Sequence, residues 1–126
     1  MALYLVQHGK SLSKQADPRQ RLSEEGIADT RTIAEVAAGY NVTVQSIHHS
    51  PKDRARQTAE IFAQKLSPPK GVLQIEGIKP MDDVTAVAAG LMSEESLMLV
   101  GHLPFMARLT AYLVTGQIEP AIFRCQ

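Results

Sequence analysis

Three short apolar runs in this chain each stop abruptly at a histidine or serine and turn toward a helix. No other feature restricts the fold as much. Ala2–Val6 (ALYLV) runs into Gln7-His8-Gly9, and Val44–Ile47 leads to His48-His49-Ser50-Pro51, with Arg54 just beyond. Leu97–Val100 (LMLV) runs into Gly101-His102-Leu103-Pro104. Short apolar runs bounded by turn residues suit strands buried on both faces. In an open α/β sheet the carboxyl ends of parallel strands are where ligands bind. Two histidines and an arginine would then meet at one edge.

The segments between these runs have helical character. Ser23 is placed to cap a helix from about Ser23 to Ala38, with Glu24 and Glu25 in its first turn, where the helix dipole favours negative charge. Gly39 supplies a stop signal. Ser50 as N-cap and Pro51 at the first helical position predict a second helix reaching about Leu66. Val72–Ile75 reads as a short strand, Asp82–Leu91 as a short helix, and Pro104 opens a helix to about Val114. Ala121–Arg124 begins a last strand as the chain stops. Strands alternating with helices predict a single α/β domain: a three-layer α/β/α sandwich around a mainly parallel sheet.

Composition excludes several function classes. The 126 residues hold thirteen basic and thirteen acidic side chains, which cancel, so a general nucleic-acid binder is not expected. No stretch approaches the roughly 20 apolar residues that span a bilayer, and the N-terminal run lacks a signal peptide's basic start. A cytoplasmic location is the resulting expectation. The lone Cys125 cannot form an internal disulfide and reads as a buried strand residue. Histidines at metal-ligand spacing and cysteine clusters are both missing, so no metal is expected.

The residue types at the three strand ends suit phosphoryl chemistry. A phosphoryl group offers several anionic oxygens, so its site needs positive charge, directed donors and a nucleophile. His8 can serve as that nucleophile while neutral, and Gly9 allows close approach. Arg54 can grip two oxygens at once near a helix N-terminus, and a protonated His102 would add charge. Each residue also has a plainer reading. A single strand-end histidine is usually structural, as His48 and His49 are read here, and Arg54 and Arg56 alone could be solvated surface charges. Three strand ends carrying such residues together favour a site.

These residues resemble a family. Leu5-Val6-Gln7-His8-Gly9 is similar to the Leu-Val-Arg-His-Gly signature of the histidine phosphatase superfamily, the phosphoglycerate mutase-like fold. Ser50-Pro51-Lys52-Asp53-Arg54-Ala55-Arg56-Gln57-Thr58-Ala59 resembles its second block, Ser-Pro-x-x-Arg-Ala-x-Gln-Thr-Ala. Val100-Gly101-His102-Leu103-Pro104 resembles the third, and Leu22-Ser23-Glu24-Glu25-Gly26 resembles the opening of the first family helix. The small size and the His-Leu-Pro form are similar to the SixA-type phosphohistidine phosphatases. The resemblance implies one histidine phosphatase-like domain over residues 1–126, in a family whose sheet usually continues beyond the strand at Ala121–Arg124. It also implies His8 as nucleophile, with Arg54 and His102 stabilising the transferring charge. Gln7, Gly9, Ser11, Arg54 and His102 would line the phosphate pocket. No cofactor is implied. The implied partner is a phosphorylated protein, such as a histidine-containing phosphotransfer domain, or a small phosphomonoester.

Two departures accompany the match. The family's arginine before the nucleophile is Gln7 here, which carries neither charge nor a bidentate fork. By analogy with loss of an oxyanion-hole donor, that costs about 2–4 kcal/mol of transition-state stabilisation. The outcome lies between slower catalysis and a regulatory module that binds phosphate without turnover. Lys10 and Arg21 are the cations that would compensate if the intervening loop folds inward. The family's proton-donating carboxylate also has no single counterpart: Glu76, Asp82 and Asp83 are candidates, the last two equally suited to capping a helix.

Overall fold

The computed structural model describes residues 3–78, 82–85, 87, 95–103, 105–113 and 120–124. Among them, strands β1 (Leu3–Gln7), β2 (Ser46–His49), β3 (Val72–Gln74), β4 (Leu97–Gly101) and β5 (Pro120–Arg124) form one sheet in the order β3-β2-β4-β1-β5. Every pairing is parallel. Helices α1 (Glu24–Gly39) and α2 (Asp53–Leu66) follow β1 and β2, and α3 (Phe105–Leu113) follows β4.

Strand alternation divides the core into two layers. Val6, Met98, Val100 and Ile47 pack with Ala34, Ala37, Ala55, Ala59 and Phe62 of α1 and α2. Leu3, Leu5, Leu97 and Leu99 pack on the other face with Phe105, Met106 and Leu109 of α3. All five residues of β4 are buried, as a central parallel strand requires. Full burial of a side chain such as Phe62 contributes about 2–3 kcal/mol.

The connections leaving β1 and β4 run in opposite directions across the sheet, so these neighbours mark a topological switch point. The crevice outside their carboxyl ends is the expected ligand site. Hydrogen bonding continues one residue past the strands: His8 N–H donates to Gly101 O at 3.0 Å and Ser50 N–H to Val100 O at 3.2 Å. His8, Ser50 and His102 therefore emerge level with one another.

Helix α1 starts as its sequence predicts, with Ser23 Oγ accepting from Gly26 N–H at 3.0 Å. Its buried row, Gly26, Thr30, Ala34 and Ala37, consists of small residues, while Val36 is half exposed. Small residues are needed because the chain after β1 crosses the helix closely. A Cβ on Gly26 would lie 2.1 Å from Lys10 O.

Helix α2 corrects an expectation. It begins at Asp53, with Lys52 in the cap position making no side-chain bond, so Ser50 and Pro51 precede it instead of capping it. Ser50 Oγ lies 2.6 Å from His102 Nε2 but 3.4 Å from Lys52 N, so the distant histidine outcompetes the local N–H. The helix ends at Leu66, with Ser67 in the left-handed region (φ 47°). The predicted helix Asp82–Leu91 lies partly outside the described residues, as do Pro104 and Cys125.

Candidate active site

His8 stands one residue past β1, half-buried at the switch point. Its Nδ1 is 2.7 Å from Gly9 O. A carbonyl can only accept, so Nδ1 carries the proton and Nε2 keeps its lone pair. Burial pushes the His8 pKa below its ordinary value; the Gly9 bond opposes this and the Arg54 charge reinforces it. At neutral pH the ring is an uncharged base with a fixed tautomer.

His102 meets His8 edge to face, with ring centroids 4.9 Å apart and planes inclined at 62°. It is only 3% exposed, its Nε2 pairs with Ser50 Oγ, and its buried Nδ1 has no partner among the described residues. Burial first, then the nearby His8, Arg54 and Lys52, lowers its pKa to about 4. The ring is neutral near pH 7, and charging it requires an anion close by to offset the surrounding cations.

The segment Ser50–Ala59 ties the strand ends together. Arg54, second residue of α2, bears on both imidazoles. Its guanidinium makes no hydrogen bond or ion pair among the described residues. Thr58 Oγ1 donates to Arg54 O at 2.8 Å and accepts from Gly9 N–H at 3.0 Å. Gln57 Oε1 accepts from Leu22 N–H at 2.8 Å. Ala55 and Ala59 are fully buried against the sheet. Sequence reasoning assigned no role to Ser50, Gln57 or Thr58 at the site, although all three stand in the quoted block. Ser50 precedes α2 and Gln57 and Thr58 are neighbours within it, so their spacing does not show what they meet.

The other pocket residues take different places. Gln7 is half-buried at the end of β1, in register with Gly101 on one side and Arg124 on the other. Gly9 gives its N–H to Thr58, and a Cβ there would lie 2.6 Å from Thr30 Oγ1, so tight packing on α1 requires the glycine. Ser11 forms an isolated antiparallel bridge with Leu22. Two of the loop's cations have carboxylate partners: Lys10 Nζ pairs with Glu25 at 3.0 Å and Arg21 Nε with Asp17 at 2.8 Å. Asp17 also accepts from the backbone N–H groups of Arg19 and Arg21. Arg21's hydrogen bonds hold its carboxyl down at about 2. Neither Lys10 nor Arg21 is free to replace the charge missing at Gln7.

Among the candidate acids, Asp83 Oδ1 accepts from Thr85 N–H at 3.0 Å and Thr85 Oγ1–H at 2.7 Å, which lowers its pKa and suits a turn cap. Glu76 is exposed and Asp82 half-buried, with the backbone carbonyl of Asp82 accepting from Arg108. His49 Nδ1 donates to Ser50 O at 2.7 Å, and His48 pairs with Ser46, so both histidines have structural partners. Among the described residues, no cluster of three potential ligands could hold a metal, and no helix is long and apolar enough to cross a membrane.

Known proteins share this sequence pattern and fold. The chain is 28% identical over 126 residues to the phosphohistidine phosphatase SixA of Escherichia coli strain K12, covering 95% of this chain and 78% of that protein. It is 32% identical over 126 residues to an uncharacterized protein of Picosynechococcus sp., covering 93% and 75% respectively. The structure of the protein histidine phosphatase SixA complexed with tungstate matches with a TM-score of 0.84 and 27% identity, over 99% of this chain and 84% of that one. The model of the histidine phosphatase superfamily (branch 1) matches residues 3–82. A family match over well more than half of the chain, on a fold shared with SixA, makes this protein a member of the histidine phosphatase superfamily, branch 1.

Proposed function

We propose that this protein is a phosphohistidine phosphatase of SixA type, which removes the phosphoryl group from a histidine of a partner protein through a phospho-His8 intermediate. The Nδ1–H of His8 held on Gly9 O carries this reading, because it leaves Nε2 as a neutral nucleophile beside His102 and Arg54. Nε2 attacks phosphorus, a P–N bond forms, and the substrate's P–N bond breaks. The departing imidazole takes a proton from solvent water. Water then attacks phospho-His8, releasing inorganic phosphate and restoring the neutral ring. Arg54 grips the equatorial oxygens, and the phosphoryl charge raises the pKa of His102. Its buried Nδ1 then donates to an oxygen while Nε2–H stays on Ser50. A nitrogen leaving group is readily protonated, so the reaction places little demand on Glu76, Asp82 or Asp83.

The test is rapid acid-free quenching after mixing with a phosphohistidine peptide. The expected result is one acid-labile, base-stable phosphoryl group per chain, mapped by mass spectrometry to the peptide containing His8. Phosphate release with His8 never labelled would overturn the reading.

A second reading rests on Gln7 and on the carboxylate partners of Lys10 and Arg21. It takes the pocket as a phosphate-binding regulatory module with weakened turnover. Gln7→Arg restores a charge-assisted fork, and the expected gain in kcat/KM is about 10- to 10³-fold. A gain from a barely measurable baseline favours the regulatory reading. Brisk turnover by the native protein, unchanged in Gln7→Arg, excludes it.

A further inference from the structure

A groove of about 360 Å³ opens beside Arg54, between the loop after β1 and the start of α2. Its cations are Lys14 and Arg19 from the loop and Lys52 and Arg54 from the second segment. Asp53 is its one carboxylate, and Arg19 and Arg56 both engage it. Lys14, Lys52 and Arg54 have no ion-pair partner among the described residues. Composition does not force this local excess, since acidic and basic residues balance over the whole chain.

The loop wall is a built structure. Buried Asp17 clamps Arg21 and two backbone N–H groups, Leu12 N–H donates to Arg21 O at 2.8 Å, and Gln57 of α2 holds Leu22. The groove also shares its field with the phosphate pocket: Arg54 lines the groove and bears on both imidazoles, and Lys52 bears on His102. At the low end of the 300–1,000 Å³ typical of ligand pockets, it admits side chains of a passing chain. Its apolar lining is confined to Pro18 and Pro51, so recognition there is electrostatic.

We infer that this groove docks the carboxylates of an acidic segment flanking the phosphorylated residue of a protein substrate. The inference rests on the proposed phosphatase reading and deepens it by naming the substrate class: phosphoproteins with Asp or Glu beside the phosphoryl group. Two partly solvated Lys–carboxylate contacts are expected to give about tenfold tighter binding at low ionic strength. The preference should fade as salt screens it.

Two peptides test this, each bearing a non-hydrolysable phosphohistidine analogue, one flanked by glutamates and the other by glutamines. Fluorescence anisotropy with the native protein should give a Kd ratio near ten at low salt, falling toward one at high salt. Lys14→Glu should abolish the preference and Lys14→Gln reduce it, with unchanged melting temperatures confirming that the variants fold. Equal affinities, binding of neither peptide, or a preference that survives Lys14→Glu would overturn the inference. Hydrolysis of the matching phosphohistidine peptides is measured separately. A protein that prefers the acidic peptide yet hydrolyses neither retires the phosphatase reading and leaves the groove's role standing.

Discussion

His8→Ala is expected to abolish hydrolysis of a phosphohistidine peptide, with kcat falling by at least about 10⁴. The reason lies in the bond order of the proposed reaction. Without Nε2 no phosphoenzyme forms, and water would have to displace the leaving imidazole directly, without the positioned nucleophile that the first step supplies. The fold should survive, because His8 is half-buried and contributes one local bond to Gly9 O, while its N–H to Gly101 is backbone and remains. Tungstate should still bind, since Arg54 and His102 are untouched. Loss of turnover with retained anion binding separates a missing nucleophile from a collapsed pocket. In the native protein the nucleophile must be neutral, and burial lowers its pKa. Once the substrate's own titration is removed, the acid limb of kcat/KM should have its midpoint below pH 6.5. A limb at or above 6.5, or phosphate release persisting in His8→Ala, would remove His8 from the chemistry.

Arg54→Ala has the next largest expected effect, about 10²- to 10³-fold in kcat/KM. This matches removal of one preorganised charged donor from a developing anion. Arg54→Lys should recover part of that loss, because it keeps the charge but not the fork. A pH profile distinguishes a site role from general destabilisation. Arg54 lowers the pKa of both His8 and His102 by charge repulsion, so its removal raises both. The acid limb of Arg54→Ala should move upward, toward pH 6.5. Near pH 7 the melting temperature should hold, because both imidazoles are neutral there and the guanidinium has no hydrogen bond or ion pair among the described residues to lose. A drop in melting temperature with an unmoved acid limb would mark Arg54 as structural.

Much of this site was legible in the residues. The apolar runs before His8 and His102 become β1 and β4, shifted by a residue at their ends, and Ser23 caps α1 as its position predicts. These features are local: a buried strand needs a continuous apolar run and a helix start needs a short side-chain acceptor. What misled was local chemistry overruled from a distance. Ser50-Pro51 has the form of a helix start, yet the serine's oxygen pairs with His102, fifty-two residues away. Lys10 and Arg21 were equally good stand-ins for the missing charge until the loop closed and gave each its own carboxylate.

The sequence by itself determined the order of strands and helices, the placement of His8, Arg54 and His102 near strand ends, and the absence of charge at Gln7. Each follows from residue identity and short-range periodicity. Only the tertiary structure decided the tautomer of His8, the neutrality of His102 and the unpaired cations along the groove. All three depend on which groups the fold brings within hydrogen-bonding or charge range. Sheet register and loop closure set those distances, and neither is written in any one segment.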